Sequence, residues 1–102
     1  MIAVDLGSNT IRFVEYDGLR WGKSFEKIVK TAESLRSTQR IGDPAINRVI
    51  EAIEEARTHI DFSAQEVVGY ATAAMRMAQN ASEALDRICA ATGISFRVID
   101  SR

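Results

Sequence analysis

The sequence is poor in the residues that would assign it to several common classes. It has a single cysteine, Cys89, so no internal disulfide can form. Its single histidine, His59, has no second histidine and no cysteine beside it, which argues against a zinc site. No serine has an evident His/Asp pair around it, so Ser-His-Asp hydrolysis is poorly supported. Positive charge is not in excess: 13 Lys and Arg stand against 14 Asp and Glu, for a net charge of −1. That leaves no electrostatic footprint for DNA or RNA, and no basic helix points to a membrane surface. No apolar run approaches the roughly 18 residues of a membrane span. The N-terminus lacks the basic region and cleavage site of a signal peptide, so a cytoplasmic protein is expected. There is no repeat and no low-complexity segment.

What remains is an ordinary soluble, globular composition. The chain has 102 residues, 46% hydrophobic and 26% charged, enough for one compact domain with a modest core. Its most informative stretch is Ile2 to Glu15. A short apolar strand, Ile2 to Asp5, leads into a loop of small and polar residues. A second strand then runs from about Thr10 to Tyr16. Gly7 lets backbone N–H groups approach a ligand closely. Ser8 and Asn9 place polar atoms at the tip. Asp5, at the strand end, can hold a hydrated Mg²⁺ or orient a water. Arg12 offers a phosphate-compatible fork on the returning strand. A plain β-hairpin with a capping Asp fits the same local residues.

Asp17-Gly18 is the strongest hairpin signal in the chain. It predicts a third strand from about Trp21 into Thr31, with Phe25 and Val29 on one face and Ile28 on the other. Residues 33–42 read as a polar connection that carries Arg36, Arg40 and Gly42. Asp43-Pro44 predicts a helix start, with Asp43 as cap and Pro44 in the first turn. Ile46, Val49, Ile50, Ile53, Ala56 and Ile60 form its apolar stripe. Arg48, Glu51, Glu54 and Glu55 fall outside that stripe as a solvated face. Glu66 to Ala71 reads as a fourth strand, followed at once by Thr72-Ala73-Ala74-Met75-Arg76. Such a turn exposes N–H groups and a hydroxyl at the C-terminal edge of a sheet, where open α/β sheets bind ligands. Arg76 can pair with phosphate or brace the loop. Asn80 and Glu83 predict a capping box for a second helix. Ala81, Leu85, Ile88 and Cys89 form its buried stripe, and Gly93 ends it. A last strand runs from Ile94 to Ile99.

Asp5-Leu6-Gly7-Ser8-Asn9-Thr10-Ile11-Arg12 resembles the first phosphate motif of the exopolyphosphatase/guanosine pentaphosphate phosphatase (Ppx/GppA) family. That family belongs to the actin, sugar-kinase and Hsp70 superfamily. Gln39-Arg40-Ile41-Gly42 resembles its Val-Arg-Leu-Gly stretch. Ala71 to Arg76 resembles its Ala-Thr-Ser-Ala-x-Arg motif, with Ala73 in place of the usual serine or asparagine. The resemblance covers nearly the whole chain.

It implies an α/β, RNase H-like half-domain with a βββαβαβ mixed sheet and helices packed on it. Residues 1–102 would be a single N-terminal subdomain. The implied substrate is inorganic polyphosphate or guanosine pentaphosphate, which loses its terminal phosphate to water. Gly7, Ser8, Asn9, Arg12, Thr72, Ala73 and Arg76 would bind phosphate, and Asp5 would hold Mg²⁺. The family's Gly-Glu-Glu-Glu-Ala-like stretch, with its catalytic carboxylate, and its second phosphate motif have no match here. The C-terminal half-domain is therefore an expected partner, and the chain alone is expected to turn over little or nothing. An apolar face left bare would favour self-association as a homodimer. Two other readings stay open: the nucleotide-binding half of another actin-like protein, and a non-catalytic interaction module.

Overall fold

The computed structural model describes residues 1–100. Strand β1 (Ile2–Leu6) buries Ile2, Val4 and Leu6 and turns Ala3 and Asp5 to the other side. This is the two-residue period of a half-covered strand. Strand β2 (Thr10–Tyr16) repeats it, burying Ile11 and Phe13 while Arg12 stays exposed. Strand β3 (Trp21–Ile28) lies at the sheet edge and is exposed over most of its length. The order across the sheet is β3-β2-β1, then strand β4 (Val67–Ala71), then strand β5 (Phe96–Val98). The first three strands are antiparallel, whereas β1, β4 and β5 run parallel. The mixed sheet is thus the expected one.

Helix α2 (Asp43–Ala56) covers one face, burying Ala45, Ile46, Val49, Ala52, Ile53 and Ala56. Helix α4 (Ala81–Thr92) packs beside it. The core lies between Val4, Leu6, Ile11 and Phe13 of the sheet and Ile46, Val49, Ile53 and Ile88 of the helices. Two short helices, α1 (Leu35–Thr38) and α3 (Ala73–Met77), are added to the expected βββαβαβ skeleton. Four or five residues make too little of a helical period to stand out in the sequence.

Several expectations need correction. The third strand stops at Ile28 rather than Thr31, because Val29 and Lys30 donate to the Asn9 carbonyl instead of to a strand. Gly42, not Asp43, occupies the cap position of α2, and Asp43 pairs with Arg87 at 2.7 Å. The capping box at α4 does not form, since the Asn80 side chain is engaged elsewhere. Helix α4 buries Ala84, Ile88 and Thr92, leaving Ala81, Leu85 and Cys89 half-buried. Gly93 does close it in the left-handed conformation, at φ 79°.

The hairpin loop also follows its signal. Gly18 has φ 98°, and the Asp17 carboxylate accepts from the Leu19 and Arg20 N–H groups. The bonds from Arg20 and then Leu19 hold its carboxyl below the ordinary value. A depressed carboxylate adds stability that is present above its unfolded value and lost as pH falls through the folded one. Between about pH 5 and about pH 3, the thermal midpoint should therefore fall further in the wild type than in Asp17→Asn.

Gly69 is required by close approach rather than by backbone angle. A Cβ there would lie 2.8 Å from the Ser95 carbonyl oxygen and 2.9 Å from Phe96 Cδ2. Gly69→Ala must push β5 off β4. Urea unfolding should show a loss of about 1 to 3 kcal/mol.

Candidate phosphate-binding edge

Strand β1 pairs with β4 residue for residue, from Ile2↔Val67 to Leu6↔Ala71. The Thr72 N–H extends the ladder by donating to the Leu6 carbonyl at 3.2 Å. Parallel strands end at the same edge. The loops after β1 and β4 therefore leave the same edge of the sheet, with Gly7 following Leu6 and Thr72 following Ala71 on adjacent strands. Neither loop motif could show this alone, since it depends on pairing between distant segments.

The first loop is closed by the Gly7 N–H donating to the Thr10 carbonyl at 3.0 Å. The carbonyls at its tip are bonded to the segment after β3. The Asn9 carbonyl accepts from Val29 at 2.8 Å and Lys30 at 3.0 Å, and the Ser8 carbonyl accepts from Ala32 at 2.9 Å. Among the described residues, the Ser8 and Asn9 N–H groups find no acceptor. Both residues are exposed. With the Ser8 and Asn9 carbonyls tied back and their N–H groups unpaired among the described residues, the tip of this loop suits an anion.

In the second loop, Met75 and Arg76 donate to the Thr72 carbonyl, each at 3.1 Å. The Ala73 and Ala74 N–H groups find no acceptor among the described residues. Arg76 is turned to the chain beyond β5. It donates to the Ile99 carbonyl at 2.8 Å, and its Nε lies 3.7 Å from Asp100. Of the two roles open to it in sequence, its contacts are those of a brace.

Asp5 and Arg12 are register partners on β1 and β2, both exposed on the face away from α2. They lie in an open groove of about 440 Å³ that extends to Trp21, Gly22 and Ser24. The loop residues do not line this groove; they adjoin it. Neither Asp5 nor Arg12 forms an ion pair among the described residues. No group of three or more His, Cys, Asp or Glu among them could encircle a metal. One exposed carboxylate fits Mg²⁺, which keeps most of its waters and takes its other ligands from phosphate oxygens. It does not fit a zinc or calcium cage.

Arg40 lies elsewhere, 3.8 Å from Glu83 at the start of α4. Its neighbour Ile41 is gripped by Asn80, whose Oδ1 accepts from the Ile41 N–H at 2.7 Å and whose Nδ2 donates to the Ile41 carbonyl at 2.9 Å. Gln79 makes a parallel pair of bonds to Gln39. The exit of the second loop is thus fastened to residues 39–41. The sequence reading missed this clamp, because an asparagine before a helix first signals a cap.

Comparison with known proteins identifies the family and the fold. A profile described as the Ppx/GppA phosphatase family matches residues 23–102. Exopolyphosphatase 1 of Mycobacterium tuberculosis is 28% identical over 102 residues, covering 94% of this chain and 30% of that protein. The crystal structure of the Aquifex aeolicus member of the Ppx/GppA family is 29% identical. It superposes with a TM-score of 0.84 over 97% of this chain and 34% of its own. An exopolyphosphatase structure from Cytophaga hutchinsonii, 23% identical, gives a TM-score of 0.85 over 97% of this chain and 33% of its own, and speaks for the fold alone. The fold is that of the actin-like ATPases. The chain spans about a third of the length of these relatives.

Asn80 is 8% exposed, so truncating it strands both Ile41 backbone groups. Asn80→Ala should lower stability by about 2 to 4 kcal/mol in denaturant unfolding.

Proposed function

The chain belongs to the Ppx/GppA phosphatase family, and we propose that it forms the N-terminal part of the phosphate cradle of a phosphatase. That phosphatase would act on the terminal phosphoanhydride of inorganic polyphosphate or guanosine pentaphosphate. The observation that carries this reading is that two loops, after β1 and β4, leave the same sheet edge with the Ser8, Asn9, Ala73 and Ala74 N–H groups lacking acceptors among the described residues.

In this reading the Ser8 and Asn9 N–H groups grip one phosphate and the Ala73 N–H, unpaired at the start of α3, grips the next. Gly7 closes the first loop through its N–H bond to the Thr10 carbonyl. The Ser8 and Thr72 hydroxyls and the Asn9 amide add side-chain contacts. Ala73 has no hydroxyl, so its contribution is its backbone. Arg12 offers a charge-assisted fork from the neighbouring groove. Arg76 holds the second loop against the chain beyond β5. Mg²⁺, held through Asp5 and its own waters, would offset the charge of the phosphate chain. By the resemblance, a carboxylate from a Gly-Glu-Glu-Glu-Ala-like stretch, which has no match in these residues, would activate the attacking water, and a C-terminal half-domain would add the second phosphate motif. The excess of acidic residues is no obstacle, since local N–H groups and a few arginines hold the anion.

An amide NMR titration with Mg²⁺ and tripolyphosphate tests the proposal. Shifts should concentrate at residues 7–12 and 72–76, with no measurable phosphate release by the chain alone. Absence of any shift would refute the cradle. Shifts elicited only by ATP would favour the nucleotide-binding half of another actin-like protein.

A further inference from the structure

The first loop owes its shape to a segment far from it in sequence. Residues 29–32 leave the sheet after β3 and run beneath the loop. Three of their N–H groups reach its carbonyls, from Val29 and Lys30 to Asn9 and from Ala32 to Ser8. To do so, Lys30 takes φ 52°, a left-handed conformation that costs a lysine about 1 to 2 kcal/mol. Thr31 is wholly buried, and its hydroxyl has no partner among the described residues. A segment that carries both costs is held from outside.

Arg48 is what holds it. It projects from α2, half-buried, and its Nε donates to the Val29 carbonyl at 2.7 Å. Its Nη2 donates to the Lys30 carbonyl at 3.3 Å and to Glu33 Oε1 at 2.6 Å. A planar guanidinium can serve several acceptors in fixed directions, which an ammonium cannot. The chain of contacts runs from Arg48 to the Val29 and Lys30 carbonyls. It continues through the N–H groups of the same two residues to the Asn9 carbonyl, and so to the outward-facing N–H groups of Ser8 and Asn9.

We propose that Arg48 is a positioning residue for the first phosphate loop. It turns the loop's carbonyls inward and its N–H groups outward without touching the ligand. Its bonds to the two carbonyls perform this role, whereas its pair with Glu33 is incidental. The Glu33 carboxylate is more than half exposed, and a pair of that kind adds little. The phosphate part of the proposal rests on the function proposed above; the effect on loop shape does not.

The test uses the full chain as wild type, Arg48→Ala and Glu33→Ala, each labelled with ¹⁵N. Alanine keeps α2 helical, so Arg48→Ala should fold. Hydrogen exchange at the Val29, Lys30 and Ala32 amides should quicken about tenfold or more in Arg48→Ala, while the amides of β1, β4 and α2 keep their protection. The Ser8 and Asn9 amide resonances should move, and the Kd for Mg-tripolyphosphate should rise about tenfold, one bracing interaction's worth. Glu33→Ala should leave all three readouts within about twofold of wild type.

Unchanged exchange at 29, 30 and 32 in Arg48→Ala would overturn the proposal. So would a uniform loss of protection across the sheet, or an equal effect of Glu33→Ala. If the wild type bound no tripolyphosphate, the proposed function would fail, and exchange and amide shifts would still decide whether Arg48 sets the loop.

Discussion

The parallel pairing of β1 with β4 is the constraint on which the rest depends. β1 is the central strand, flanked by β2 on one side and β4 on the other. Its register with β4 brings Leu6 opposite Ala71 and lets Thr72 bond back to Leu6. Two motifs separated by some sixty positions thereby become neighbours at one sheet edge. A parallel pair needs a long crossover, and here helix α2 supplies it while covering the core. The same connection that closes the hydrophobic face thus aligns the loops.

The electrostatics of that edge are local. With a net charge of −1, the chain has no broad positive field to draw an anion in. The potential at the first loop comes instead from the orientation of peptide groups, whose oxygens are occupied by residues 29–32. Side-chain charge contributes through Arg12 on one flank, while Asp5 beside it repels a bare phosphate and suits one that arrives with a cation. On the proposed reading, the two charges sort ligands by metal loading as well as by sign.

The strands and the loop motifs were legible in the sequence because they are local. The short apolar run Ile2 to Asp5 and the returning stretch Thr10 to Tyr16 mark strands, Asp17-Gly18 marks a turn, and Gly93 marks a helix end. The resemblance of residues 5–12 and 71–76 to Ppx/GppA motifs is likewise carried by short contiguous strings. What escaped was tertiary. Asp43 and Asn80 carry the chemistry of caps, but Arg87 and Ile41 hold their side chains instead. Arg48 sits off the apolar stripe of α2 and so reads as solvated; periodicity cannot report that a side chain reaches the backbone of another segment. The early end of β3 had the same origin, because the first loop competes for the N–H groups of Val29 and Lys30.

The segment between β3 and α2 has a mechanical consequence. Its first residues hold the carbonyls of the loop after β1, and its last residues, Gln39 and Ile41, hold the exit of the loop after β4. Both loops are yoked to one short connection. A displacement of either loads the same stretch of backbone, so the two cannot relax independently. The sheet fixes where the two loops begin, and this connection, like the frame of a caliper, ties their far sides together from outside the gap.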